Sequence, residues 1–316
     1  MTLAILCSGQ GGQRADMFDL TGAGVTQQAD ALFAHAGRLL GGDPRTWVRD
    51  AAPFALHENR AAQILCTLQA LAAAALLEAA WPRRRCIAGY SVGEVASWSV
   101  AGLIDPHDAL DLADARARAM DAAMDAASGG DERMAFVRGL PRDHLARLCA
   151  DHGAAIAIAN PGDAFVIAGR RDDVDAAAAD ALRDGALRVA PVGVRIASHT
   201  PRLAAAVPAF RASLAAVRVR RPLPGARLFA GIDGTSVLDA ADGLDKLARQ
   251  IAEPVEWAAC LAACVEAGAT AFLELGPGRA LAEMAAGAYP ALPARSLADF
   301  RSIDGATQWL ARVAAG

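Results

Sequence analysis

Gly89-Tyr90-Ser91-Val92-Gly93-Glu94 is the stretch on which the reading of the fold turns. A short apolar run, Cys86-Ile87-Ala88, leads into it, and residues 95–100 read as a helix after it. Gly-x-Ser-x-Gly between a strand and a helix is the pattern of a nucleophile elbow. The turn is sharp enough that only glycine fits on either side of the serine without a Cβ clash. The hydroxyl then stands clear of the backbone at the positive end of a helix, where developing negative charge is favoured. A plain glycine-rich turn with a serine N-cap is written with the same five residues. The rest of the chain has to separate the two.

The chain has 316 residues, enough for one large domain or a large domain with a smaller partner. A hydrophobic content of 54% with 21% charged residues describes a globular protein with an ample core. Lys246 is the only lysine among the basic residues, which we read as a genomic bias in composition. The net charge of −4 gives no electrostatic case for nucleic acid. No apolar run reaches membrane-spanning length, and the first residues lack a signal-peptide pattern, so a cytoplasmic location is expected. The six cysteines (Cys7, Cys66, Cys86, Cys149, Cys260, Cys264) sit in apolar segments without a Cys-x-x-Cys pair. Reduced, buried thiols are expected, with neither a disulfide framework nor a metal site.

Residues 3–8 form an apolar strand that runs into Gly9-Gln10-Gly11-Gly12-Gln13. Arg14 stands where a dinucleotide fingerprint needs its third glycine, and no Gly-Lys-Ser/Thr follows for a phosphate loop. What remains is a turn with exposed backbone N–H groups, able to serve an oxyanion if it lies beside the elbow. Residues 60–80 read as a helix apolar on most faces, hence buried. A second helix after the elbow, 107–126, carries Arg116 and Arg118, either of which could point toward the serine. The order strand 133–138, helix 142–151, strand 154–159, strand 164–168, helix 172–183, strand 187–194 is βαββαβ, a ferredoxin-like unit. A linker at Ser128-Gly129-Gly130-Asp131 introduces it.

Five histidines (His35, His57, His107, His144, His152) fall in polar helix ends or turns and read as surface residues. His199, in Ser198-His199-Thr200-Pro201, falls at the seam where the inserted unit ends, and seams are where ligand clefts form. Beyond it come a helix over 203–216, a strand over 226–230 and a helix over 244–251. A helix opened by Pro254, the apolar strand 270–275 and a helix over 279–286 follow, then a short strand near 294–297 and a closing helix over 306–314. Strands alternating with helices predict a mostly parallel sheet covered on both faces. The expected organisation is a large α/β-hydrolase-like domain from residues 1–127 and 198–316, with an inserted ferredoxin-like domain at 128–197.

In this order the motifs resemble the malonyl-CoA:acyl carrier protein transacylase family, over essentially the whole chain. Gly9-Gln10-Gly11-Gly12-Gln13 is similar to its Gly-Gln-Gly-Ser-Gln loop, and Gly89 to Glu94 to its Gly-His-Ser-x-Gly-Glu elbow. Arg116 matches its carboxylate-binding arginine, and Ser198-His199 its catalytic histidine. Asn160-Pro161 with Ile167-Ala168-Gly169 fits its inserted subdomain. Gln250 to Trp257 fits its Gln-x-x-x-Pro-Val-x-Trp segment, and Glu274-Leu275-Gly276-Pro277-Gly278 its late strand and turn. Two positions depart from the pattern: Tyr90 replaces the usual histidine and Ser8 a usual proline. With them the chain most resembles the branch that serves malonate decarboxylase, its epsilon subunit.

The resemblance implies Ser91 as nucleophile, His199 as base and the backbone N–H groups of Gln10 and Val92 as oxyanion donors. It also implies that Arg116 binds the acyl carboxylate and that a carbonyl near Gln250 orients the imidazole. The reaction so implied moves a malonyl group from malonyl-CoA through a serine ester to a carrier-protein thiol. The acceptor is a phosphopantetheine-type arm, with other malonate decarboxylase subunits as further partners, and no bound cofactor, metal, nucleic acid or membrane. Two alternatives stay open: a malonyl transferase of fatty-acid or polyketide synthesis, and a serine thioesterase or hydrolase that delivers the acyl group to water.

Overall fold

The computed structural model describes residues 1–22, 26–126 and 131–315. Among the described residues there are ten strands: β1 Thr2–Cys7, β2 Arg84–Gly89, β3 Glu132–Arg138, β4 Ala155–Asn160, β5 Ala164–Arg170, β6 Arg188–Val192, β7 Ala226–Phe229, β8 Val255–Glu256, β9 Ala271–Glu274 and β10 Ala294–Ser296. The helices up to the seam are α1 Gln27–Leu40, α2 Pro44–Asp50, α3 Asn59–Leu76, α4 Gly93–Val100, α5 Pro106–Ala126, α6 Arg142–His152 and α7 Arg171–Arg183. After it come α8 Val207–Ala216, α9 Ala240–Arg249, α10 Trp257–Glu266, α11 Ala280–Ala288 and α12 Ile303–Ala315.

The larger sheet has the order β10-β9-β1-β2-β7, and all of its pairings are parallel. Its strands read as near-continuous apolar runs because both faces are covered. Leu3, Ile5 and Cys7 of β1 point into one core with α3, α4 and α5, while Ala4 and Leu6 point into a second core with Trp257 and Phe272. The chain goes from β1 to β2 and β7 on one side, then returns to β9 and β10 on the other. That reversal leaves a crevice beyond the carboxyl ends of β1 and β9, where open α/β sheets bind ligands. Cys7 is level with Gly89, and Leu6 with Glu274, so three loops leave the sheet side by side.

The smaller sheet has the order β6-β3-β5-β4-β8. Its first four strands pair antiparallel in the ferredoxin-like order expected from βαββαβ. Alternation decides its two faces: Ala135, Val137, Phe165 and Ile167 pack under α6 and α7, whereas Met134, Val166 and Ala168 face the core shared with the large sheet. Residues 128–130 of the linker expected at 128–131, and the division at 127/128, lie outside the described residues.

Three expectations need correction. Pro254 does not open a helix; Val255 and Glu256 pair in parallel with Ile158 and Ala159, so the later chain supplies a fifth strand to the small sheet. The expected helix at 203–216 is a 3-10 turn, Pro201–Ala206, followed by α8, whose first turn holds Pro208. The helix expected at 244–251 begins at Ala240, because the Asp239 side chain caps it by accepting the Asp242 N–H. Residues 14–50, without a reading from sequence, contain α1 and α2. All six cysteines are free and buried. Among the described residues, no helix is long and apolar enough to cross a membrane.

Candidate active site

β2 ends at Gly89, and α4 starts at Gly93, so Ser91 sits at the tip of a strand-to-helix turn. A Cβ on Gly89 would overlap the backbone of Glu94, and one on Gly93 would overlap the Cys7 carbonyl oxygen. Neither position has room for a larger residue. Ser91 has φ 55°, in the left-handed region that a side chain rarely adopts, which is the strain of a nucleophile elbow. Tyr90 N–H donates to the Cys7 carbonyl at 2.9 Å, tying the elbow to the end of β1.

His199 also has a left-handed backbone, φ 64°, and its N–H donates to the Ile251 carbonyl at 2.8 Å. Its Nε2 lies 2.8 Å from Ser91 Oγ, and its Nδ1 lies 2.6 Å from the Gln250 carbonyl oxygen. A carbonyl only accepts, so Nδ1 carries the hydrogen and Nε2 is left to accept the serine proton. Among the described residues no carboxylate hydrogen-bonds to this imidazole. Burial, and then the nearby Arg116 cation, press its pKa down to about 3, against which the Gln250 carbonyl pulls upward.

Gln10 follows β1 in the turn beside the elbow; a Cβ on Gly9 would stand 3.3 Å from Ser91 Cβ. The Gln10 side chain donates to the Asn59 carbonyl at 3.1 Å at the start of α3. Val92 is buried at the start of α4. Among the described residues, neither the Gln10 nor the Val92 N–H donates to another protein group. Ser91, His199 and Gln10 open onto a cleft of about 750 Å³, walled by β3, β5 and β6 on one side and α11 on the other.

Arg116 and Arg118 separate cleanly. Arg118 is exposed on α5 and pairs with Asp114 at 2.8 Å, whereas Arg116 is fully buried. Arg116 Nη1 donates to Gln63 Oε1 at 2.8 Å, Nη2 approaches Gln250 Oε1 at 3.4 Å, and Nε has no partner among the described residues. It is buried next to the cleft rather than on its open wall, and is close enough to the dyad to depress His199. Burial lowers its own pKa to about 10, so it remains a cation.

Residues 5–292 match the acyl transferase domain family. The malonyl CoA-acyl carrier protein transacylase of Mycobacterium tuberculosis is 31% identical over 96% of this chain and 98% of that protein. The chain belongs to the acyl transferase domain family. The Escherichia coli K12 protein of the same name is 28% identical over 88% of this chain and 90% of its own length. The crystal structure of an acyl-carrier-protein S-malonyltransferase from Burkholderia pseudomallei superposes on this acyltransferase with a TM-score of 0.88. The two are 29% identical, and the match covers 98% of this chain and 100% of that one.

Sequence reading of this acyltransferase missed what surrounds Arg116. Glu94 is fully buried one turn after the nucleophile, and its Oε2 accepts both the Gly231 N–H at 3.0 Å and the Gln250 side-chain amide. Burial pushes its pKa up to about 8. Gln250 thus bridges Arg116 and Glu94 with its side chain while its backbone holds His199. Gln63 is the other miss; a glutamine inside the apolar run of α3 was its one visible signal. His144 and His152 are partly exposed and pair with Asp184 and Asp180, whereas His35, expected at the surface, is largely covered and pairs with Asp111.

Proposed function

We propose that this acyltransferase moves a malonyl group from malonyl-CoA, through an ester on Ser91, to the thiol of an acyl carrier protein. Ser91 Oγ attacks the thioester carbon while its proton passes to His199 Nε2, and the charge on the carbonyl oxygen falls to the Gln10 and Val92 N–H groups. One such donor is typically worth about 3 kcal/mol. The C–S bond then breaks, the imidazolium returns the proton to sulfur, and CoA leaves as the thiol. The carrier thiol reverses these steps from the other side of a ping-pong cycle.

The observation that carries the choice of acyl group is Arg116, a buried cation whose partners are two neutral amides. A planar carboxylate offers a guanidinium two parallel charge-assisted bonds. An acetyl group would leave the cation as it is, and an unmade buried bond is what discriminates. The names of the relatives support the same donor and acceptor class.

For the acceptor we propose the carrier subunit of malonate decarboxylase. Tyr90 and Ser8 support this branch. Tyr90 lines the cleft and packs edge-on against Trp257 with centroids 5.3 Å apart. A carrier of fatty-acid or polyketide synthesis is the alternative that the relatives favour. Intact mass spectrometry after brief exposure to malonyl-CoA tests the reading. We expect one malonyl adduct, absent in Ser91→Ala and discharged faster by a pantetheine thiol than by water. CoA release without an adduct would instead indicate a hydrolase. Side-by-side discharge by the two carrier types decides the acceptor.

A further inference from the structure

Ser8 leaves β1 one residue before the Gly9-Gln10 turn, and Glu274 ends the neighbouring strand β9. Ser8 Oγ donates to Glu274 Oε1 at 2.6 Å, and Glu274 Oε2 accepts the Ala282 N–H, in the first turn of α11, at 2.9 Å. The pair is buried, 4% and 1% exposed, yet both residues border the cleft. Around it the backbones touch: a Cβ on Gly276 would overlap the Ser8 side chain, and one on Gly12 would overlap the Pro277 carbonyl. The turn that carries the Gln10 N–H therefore rests on the turn between β9 and α11, and a buried hydrogen bond joins the two.

We propose that Ser8 and Glu274 are a positioning pair for acyl transfer: Glu274, fixed by α11, holds the Ser8 hydroxyl and thereby sets the aim of the Gln10 N–H. The inference rests on Gln10 as an oxyanion donor. Glu274 is assigned a positioning role because its two oxygens hold Ser8 Oγ and the Ala282 N–H. A donor to an oxyanion has to be held to within about 0.5 Å, and its supporting bonds do the holding. A proline would restrict the backbone here covalently; this chain has a hydroxyl and a carboxylate 266 residues apart instead. Burial pushes Glu274 up to about 7, opposed by the Ser8 hydroxyl and by two N–H groups of α11, while Glu283 adds to the rise. The hydrogen bond survives protonation of the carboxyl because either form offers Ser8 an acceptor.

The test is single-turnover formation of the malonyl ester, resolved as a rate constant and a half-saturating donor concentration. Ser8→Ala should lower the rate constant about tenfold, less than complete loss of an oxyanion donor, and leave half-saturation within about twofold. Ser8→Cys, with a weaker donor of similar shape, should fall between. Glu274→Gln, which retains one acceptor oxygen, should lose less than Glu274→Ala. The double variant Ser8→Ala/Glu274→Ala should be no slower than the worse single variant, as for two members of one bond. An unchanged rate constant in folded Ser8→Ala, a loss confined to half-saturation, or additive losses would overturn the pair. If Ser8→Ala does not fold, Ser8→Cys and Glu274→Gln decide by the same criteria. Absence of any ester in the wild type would instead refute the proposed function itself, and this inference with it.

Discussion

His199 has to be neutral to accept the serine proton and has to tolerate a charge once it has done so. Burial and Arg116 secure the first, holding the imidazole far below its usual pKa, and the Gln250 carbonyl supports the second. Under the proposed function Arg116 therefore has two effects, one on the acyl group and one on the base. Replacing it with glutamine should lower kcat/KM for malonyl-CoA about a hundredfold or more, because a charge-assisted pair is lost, and change acetyl-CoA less than about tenfold. The same substitution removes a cation beside the imidazole, so the pKa of His199 rises. Activity needs the neutral ring, and the acid limb of the acetyl-transfer profile should accordingly move to higher pH. An unmoved limb would mean that Arg116 does not act on the base. Ser91 was legible from its Gly-x-Ser-x-Gly setting, whereas His199 stood out only by its place at the seam and took its role from the family resemblance. Glu94 and Gln63 were not read as site residues, because what gives them meaning is a partner brought close only by folding: Gln250 is 156 residues from Glu94.

The elements around the elbow were legible for a related reason. Glycine at 89 and 93 has a steric cause that the sequence displays directly, and β2 and α4 flank it as expected. Gly93→Ala should destabilise the fold by about 3 kcal/mol, the upper range for overpacking a tight site, since its methyl meets the backbone of β1, which cannot rotate away. Urea denaturation measures this; a loss below about 1 kcal/mol would show that the elbow can relax. The ferredoxin-like unit was legible from the order of its elements, βαββαβ, and not from alternation, since both faces of β3 and β5 are buried. β8 was not, because two residues carry no period. Its place is fixed by pairing with β4 and by a fork in which Arg142 of α6 binds both oxygens of Glu256, at 2.8 and 2.5 Å. That pair is largely exposed and adds little on its own account; the strand pairing is what joins the later chain to the small sheet.

Over the whole molecule, the site imposes a pH dependence on folding. Glu94 and Glu274 have pKa values raised to about 8 and about 7, and unfolding returns them to the ordinary 4.5. Between those limits the folded chain binds more protons than the unfolded chain, so these two groups make stability fall as pH rises. Their contribution is complete below pH 4.5 and is lost as pH passes through 7 and 8. His199 works in the other direction, since its folded pKa of about 3 lies below the ordinary 6.5. Its contribution is complete above 6.5 and is lost as pH falls toward 3. Each full proton of difference is worth about 1.4 kcal/mol per pH unit. From pH 6.5 to 8 His199 no longer contributes a slope, and the two carboxyls act unopposed by it. The melting temperature of the wild type should therefore decline across this window. Glu94→Gln, which cannot ionise and retains an acceptor for the Gly231 N–H, should flatten the decline and melt higher than the wild type at pH 8.5. Calorimetry of both proteins at pH 6.5 and 8.5 makes the comparison. Parallel declines in the two would mean that Glu94 ionises as readily in the fold as outside it, and that Arg116, with Gln250 between them, compensates its burial in full.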